Sequence, residues 1–153
     1  MNAVIANRQR AKKLAVRPLN KIVAALLAEL AVTDARLEIV LVGAAEMTRL
    51  NETYLRHEGS TDVITFDYAE RQKAEGGKRN QLHGEIFVCV DEAVAQAERF
   101  KTTWQSEMVR YLVHGVLHLL GYDDLRGDSR RKMKREENRL VRELSRRFAL
   151  SRR

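Results

Sequence analysis

Apolar side chains recur at intervals of three and four residues in several stretches of the chain, and this spacing predicts helices. The first of them begins at the only proline, Pro18, which suits a first helical turn. Asp91 is the predicted N-cap of a later helix, and Thr102 or Thr103 that of the next. The predicted helices span residues 18–31, 45–55, 91–100, 104–120 and 128–148.

Short runs of β-branched and aromatic residues predict strands over 37–42, 62–66 and 85–90. Residues 70–83 are polar and contain two adjacent glycines, which predicts a mobile loop. Strands and helices do not alternate strictly. The pattern therefore favours an α+β fold, a small mixed sheet covered by helices, in one domain that spans residues 1–153.

The helix over 104–120 is apolar on nearly every side, which is typical of a buried helix. Gly121 suits the left-handed residue that ends it. The last helix, over 128–148, has a single apolar stripe that we expect to face inward. That stripe consists of Met133, Leu140, Val141, Leu144 and Phe148.

Composition excludes several protein classes. Of the 153 residues, 44% are hydrophobic and 32% are charged, which is unlike a disordered or fibrous chain. No apolar run is long enough to cross a bilayer, and no secretory signal is visible at the N-terminus. Cys89 is the only cysteine, so the chain forms no internal disulfide. We expect a reducing, cytoplasmic location and no membrane partner.

Positive charge is concentrated at one end of the chain. The net charge is +7, yet residues 126–153 contain twelve Lys or Arg and four Asp or Glu, a net charge of +8. The remainder is close to neutral. A basic segment of this kind suits a polyanionic partner such as nucleic acid, although a solvated helix face has the same composition.

The candidate chemistry lies in the segment HGVLHLLGYDD, residues 114–124. His114 and His118 are four residues apart, so a helix places both imidazoles on one face. Gly121 lets the chain reverse, and Asp124 can then supply a third ligand. Two imidazoles and a carboxylate suit Zn²⁺ and leave a fourth position for water. We therefore expect one Zn²⁺, or another divalent metal, on a buried metal-binding helix.

This segment differs from that of the HExxH metalloproteases. Their general base is a Glu directly after the first histidine, and here that position is Gly115. Asp123 is the nearest other carboxylate. It is a candidate catalytic base or ligand-orienting group, and equally a candidate turn residue.

Three segments together resemble the YbeY family of bacterial endoribonucleases, also called rRNA maturation factors. The family motif HGxLHLxGYDH is similar to residues 114–124. The family's LNxxY and PTDVLSF segments are similar to residues 50–54 and 60–66, and its GDIxI strand to residues 84–88. The resemblance covers about residues 35–145.

The chain departs from the family pattern at two positions. Asp124 stands where the family has its third metal-binding histidine. Leu55 stands where the family has an arginine that is thought to assist catalysis, and Arg56 follows it. Arg56 is therefore a candidate catalytic residue, although a one-residue offset turns a helical side chain by about 100°.

The resemblance implies a single-strand-specific, metal-dependent endoribonuclease. Its implied role is ribosomal RNA processing at the 3′ end of the small-subunit RNA, together with ribosome quality control, so rRNA and the ribosome are the expected partners. Six basic residues are candidates for RNA phosphate contacts: Arg130, Arg131, Lys134, Arg135, Arg139 and Arg142.

Two other hypotheses remain open on the residues themselves. One is a metal-dependent hydrolase of a non-RNA substrate, such as a peptide or a small ester. The other is a non-catalytic ribosome assembly factor in which the metal is structural.

Overall fold

The computed structural model describes residues 2–69 and 81–148. Within these ranges the strands are β1 (Asn2–Asn7), β2 (Asp34–Val42), β3 (Val63–Asp67) and β4 (Gln81–Cys89). The helices are α1 (Val16–Glu29), α2 (Ala44–Leu50), α3 (Val90–Phe100), α4 (Trp104–Leu119) and α5 (Gly127–Phe148). A π-helical turn, Asn51–Leu55, extends α2.

The four strands form one sheet in the order β1-β2-β4-β3. β1, β2 and β4 are mutually parallel, whereas β3 runs antiparallel to β4. The predicted α+β class with a small mixed sheet is therefore confirmed.

The two faces of the sheet are covered unequally. On the larger face, fully buried residues such as Ile39 and Ile86 pack with side chains of α1, α4 and α5. On the smaller face, Val42 and Phe87 pack under Met47 of α2. Burial of an aliphatic side chain of this size contributes roughly 1.5–3 kcal/mol, so the larger face carries most of the hydrophobic stabilisation.

Helix α4 lies close against the sheet because a glycine faces the strands. A Cβ on Gly115 would lie 3.0 Å from the side chain of Ile86. Of the two predicted caps, Thr103 is the one that caps the helix, by accepting a hydrogen bond from the Ser106 amide at 3.1 Å. Gly121 follows the helix with φ of 101°, which confirms the predicted left-handed stop. Most residues of α4 are buried, as the sequence indicated.

The predicted helix over 45–55 is interrupted. Its last turn is π-helical, and Arg56 ends it in the left-handed region with φ of 56°. Asn51 at the interruption is buried and donates a hydrogen bond from Nδ2 to the Gly59 carbonyl at 2.9 Å. This tertiary contact ties the turn to the following loop, and a local helical pattern does not reveal it.

The N-cap assignment of Asp91 is wrong. The helix α3 begins one residue earlier, after Cys89, and the Asp91 carboxylate instead accepts a hydrogen bond at 2.6 Å from the Ala44 amide. Asp91 therefore satisfies an amide at the start of α2, a helix that is distant in sequence.

Two strand assignments also change. β1 was not predicted, because six residues rich in alanine and asparagine have little strand signal of their own; pairing with β2 forms it. The predicted loop over 70–83 is wrong at its end, since β4 begins at Gln81 and pairs there with Asp34. Residues 70–80, where the loop was predicted to be mobile, lie outside the described residues.

Two observations bear on the compartment and membrane predictions. Cys89, the only cysteine of the chain, is fully buried in the smaller core. In the described ranges, no helix has both the length and the apolar character that a bilayer span requires.

Gly84 gives a test of how tightly β3, β4 and α4 are packed. A Cβ on Gly84 would lie 2.5 Å from the Phe66 carbonyl oxygen and about 3 Å from the Leu119 side chain. We expect Gly84→Ala to lower the free energy of unfolding by about 1–3 kcal/mol, because the obstacle includes backbone. Gly127→Ala, whose added Cβ meets nothing nearer than 3.6 Å, is the matched control. Equal denaturation midpoints for the two variants would contradict this packing.

Candidate active site

A cleft of about 320 Å³ opens between α4 and α5, beside the start of β3. Its lining includes Asp62, directly before β3, and Asp124, in the loop after α4. His114 contributes from α4, and Lys134 and Glu137 contribute from α5. Because α4 packs close to the sheet, His114 of α4 and Val63 at the start of β3 line the same cleft.

In the cleft, Glu137 of α5 contacts two side chains of α4 and so joins the two helices. Nδ1 of His114 lies 2.8 Å from Oε1 of Glu137, whose side chain is only 4% exposed. The other oxygen of Glu137 accepts hydrogen bonds from Nη1 of Arg110 at 2.7 Å and from Nζ of Lys134 at 3.2 Å. Arg110 also donates to Oδ1 of Asn138 at 2.8 Å. Both carboxylate oxygens of Glu137 are therefore fully engaged.

The pKa values reflect this arrangement. Burial by itself would raise the pKa of Glu137, but the hydrogen bonds from His114 and Arg110 and the charge of Lys134 lower it to about 2. The pKa of His114 is raised, chiefly by its hydrogen bond to Glu137, against the opposing effect of burial. The charges of Asp62 and Asp124 raise it further, so both carboxylates act on the same imidazole.

The three predicted metal ligands occupy different environments. His114 and Asp124 line the cleft together, and the contact of Nδ1 with Glu137 leaves Nε2 as the ring nitrogen available to a ligand. His118 is exposed one turn further along α4 and is not among the residues that line the cleft. Asp124 is exposed in the bend after Gly121.

Within residues 2–69 and 81–148, no three His, Cys, Asp or Glu side chains lie together in a metal-binding group. The donor types nevertheless suit Zn²⁺, and a metal-binding histidine usually donates its other ring N–H to a carboxylate, as His114 is placed to do. The set of His114, His118 and Asp124 stays a prediction.

Two acidic residues that line the cleft, Glu137 and Asp62, were not among the site residues predicted from the sequence. Glu137 interrupts the inward stripe of α5, four residues after Met133 and three before Leu140, and is 3% exposed. A carboxylate in the middle of an apolar stripe is the signal that identifies it. Asp62 lies directly before a strand, where sequence gives no sign that it faces a helix.

The two candidate catalytic residues lie apart from the cleft lining. Arg56 is exposed at the end of the π-helical turn. Asp123 accepts a hydrogen bond from the Leu125 amide at 2.8 Å, which is the contact of a turn residue. Their catalytic roles stay predictions.

The basic residues of α5 line a shallow groove that continues from the cleft. Lys134 belongs to both, and Arg130 lies in the cleft. Arg139 is paired with Glu136 and with Glu29, the latter at 3.2 Å. The other residues of the groove are Arg131, Arg135, Asn138 and Arg142. Among the described residues, Arg130, Arg135 and Arg142 form no salt bridge.

Comparison with known proteins identifies similar sequences along most of the chain. The family model described as Endoribonuclease YbeY matches residues 4–145. An Endoribonuclease YbeY of Syntrophotalea carbinolica is 36% identical over 135 residues, which cover 86% of this chain and 89% of that protein. One of Chlorobium phaeovibrioides is 36% identical over 124 residues, which cover 81% and 78%.

The fold also has a solved counterpart. A Thermotoga maritima protein whose structure was determined in solution superposes with a TM-score of 0.69. The match covers 97% of this chain and 92% of that one at 23% identity. At that level of identity the comparison supports the fold alone.

The ion pair between α4 and α5 gives a stability test. We expect Arg110→Gln to lower the free energy of unfolding by about 1–3 kcal/mol, because the buried Glu137 carboxylate loses its closest charged donor. Arg99→Gln removes the same charge from an exposed position on α3 and should change stability little. Chemical denaturation measures both. If Arg110→Gln lowers the free energy of unfolding no more than Arg99→Gln does, Arg110 does not stabilise the buried Glu137 carboxylate.

Proposed function

Because this chain belongs to the YbeY family, we propose that it is a metal-dependent endoribonuclease that cleaves single-stranded RNA in the cleft between α4 and α5. Its curated relatives are named endoribonucleases, and an enzyme of this kind is a hydrolase that acts on phosphodiester bonds. The observation that carries the proposal for this chain is that His114 lines a cleft which continues into a groove of basic side chains.

The proposed ligands of one Zn²⁺, or of another divalent ion, are His114, His118 and Asp124. When bound, such an ion acidifies water and stabilises the negative charge that develops on a phosphate. Aspartate in place of a third histidine makes the ligand set harder, which favours oxygen-preferring metals more than three imidazoles would. The charges of Asp62 and Asp124 act on His114, and a cation bound at this histidine would offset the repulsion between these carboxylates and an RNA phosphate.

The proposed contribution of α5 is to bind the RNA backbone. Lys134 is 62% exposed and lies where the cleft meets the groove. Its ammonium donates to Glu137 at 3.2 Å and has two further N–H donors, which can contact a phosphate close to the point of cleavage. Arg130, Arg135 and Arg142 are free of salt bridges among the described residues and can contact flanking phosphates. Arg131 and Arg139 would first have to exchange their carboxylate partners, Asp128 and Glu136.

The proposed cellular substrate is precursor ribosomal RNA, trimmed at the 3′ end of the small-subunit RNA, with a further role in ribosome quality control. The ribosome is then the partner and the cytoplasm the location. The family resemblance is what supports this part of the proposal.

Metal content and cleavage, measured on the same samples, test the catalytic part. We expect stoichiometric zinc in the parent, loss of both zinc and RNA cleavage in His114→Ala, and neither loss in His83→Ala, whose exposed side chain lies on β4. A single-stranded oligonucleotide should be cleaved faster than the same sequence in a duplex. Equal metal content in the parent and His114→Ala would refute the assignment of this ligand.

Salt dependence tests the proposed RNA contacts. The logarithm of RNA affinity falls linearly with the logarithm of salt concentration. For a single strand, each phosphate contact makes this slope steeper by about 0.7. We expect Arg135→Ala to reduce that slope by about one contact. Arg146→Ala should leave it unchanged, because Arg146 lies outside the groove and is paired with Glu143 at 2.6 Å. Identical slopes for the two variants would count against an RNA path along α5.

A further inference from the structure

We propose that Glu137 is a positioning residue, which holds the imidazole of His114 so that Nε2, and not Nδ1, is presented to the metal ion. The inference rests on the proposed function, because it concerns the metal that His114 is proposed to bind. No sequence motif discussed above includes Glu137.

The first support is the choice between the two ring nitrogens. A neutral imidazole has one N–H donor and one acceptor nitrogen, and only the acceptor can ligate a metal. Oε1 of Glu137 lies 2.8 Å from Nδ1 of His114, and the other oxygen of this carboxylate accepts hydrogen bonds from the cationic Arg110 and Lys134, so Oε1 is placed to accept the Nδ1 proton. The lone pair that remains available is therefore on Nε2.

The second support is that Glu137 itself has little freedom to move. Its side chain is 4% exposed, and its second oxygen is held by Arg110 at 2.7 Å and by Lys134 at 3.2 Å. Met133 and Leu140, one turn before and one turn after it on α5, are buried. A carboxylate fixed on both oxygens can fix the ring that it contacts.

The other glutamates of α5 do not share this arrangement. Glu136 and Glu143 form salt bridges with Arg139 and Arg146, each three residues further along the same helix. Their side chains are 25% and 30% exposed. Glu137 differs because its contacts with His114 and Arg110 join α5 to α4.

A simpler explanation is that Glu137 only binds the two helices together. The two roles give different results for Glu137→Leu, which fits the apolar stripe but accepts no proton, and for Glu137→Gln, whose amide oxygen still accepts one. A purely structural ion pair is lost in both variants, whereas the positioning contact survives in part in Glu137→Gln. Glu136→Leu on the same helix is the matched control.

The experiment measures zinc affinity of the full chain by competition with a chromophoric chelator. Carboxylates that contact metal-bound histidines usually contribute about 10–100-fold to metal affinity. We expect a loss of that size in Glu137→Leu, partial rescue in Glu137→Gln, and parental affinity in Glu136→Leu. Circular dichroism and thermal melting of the metal-free proteins show which variants are folded, and zinc affinity is compared among those variants only.

A second measurement does not depend on metal. The nitrogen chemical shifts of the His114 ring, recorded in alkaline solution on metal-free protein, report which nitrogen carries the proton. The parent should have the proton on Nδ1, and Glu137→Leu should shift it toward Nε2. Parental zinc affinity in Glu137→Leu, or a proton on Nε2 in the parent, would overturn the inference. A parent that binds no zinc, yet has the Nδ1 proton, would instead refute the metal part of the proposed function.

Discussion

A buried carboxylate needs compensating partners, and the position of the cleft depends on how this chain provides them. Glu137 lies on α5 among apolar neighbours, where an unpaired charge would be strongly unfavourable. Its oxygens are compensated by His114 and Arg110 of α4 and by Lys134 of its own helix. Because two of the three partners lie on α4, the same contacts that neutralise the carboxylate fix the two helices side by side and orient the histidine between them.

The sheet contributes the other wall of the cleft through close packing. Gly115 brings α4 to within van der Waals contact of Ile86, so His114, its neighbour in sequence, lies beside the start of β3. Asp62, which precedes that strand, then acts electrostatically on the imidazole. Gly115 stands where an HExxH metalloprotease has its catalytic glutamate. In this chain a side chain at that position would crowd Ile86, so close packing of α4 on the sheet favours glycine there.

Charge is divided between the two parts of the surface that we propose to contact RNA. Asp62 and Asp124 act electrostatically on His114 in a cleft that acidic and basic side chains line together, while the groove along α5 is lined by basic side chains and Asn138. A polyanion attracted by the groove meets these two carboxylates near His114, and a bound cation would offset their charge. Affinity and chemistry are therefore expected to depend on different residues, the arginines of α5 for the first and the cleft for the second.

The sequence by itself determined the elements whose pattern is local: the α+β class, the buried helix α4 with a threonine cap and the Gly121 stop, and the basic stripe on α5. It also singled out His114 as a candidate ligand, because two histidines one turn apart are a local signal, and the metal that it is predicted to bind stays a prediction. Only the tertiary structure decided which residues surround that histidine. Glu137 and Asp62 come from separate elements, β1 forms only by pairing with β2, and Asp91 serves a helix far from it in sequence. Periodicity and capping act within a few residues, whereas compensation of buried charge and strand pairing join residues that the chain sequence keeps far apart.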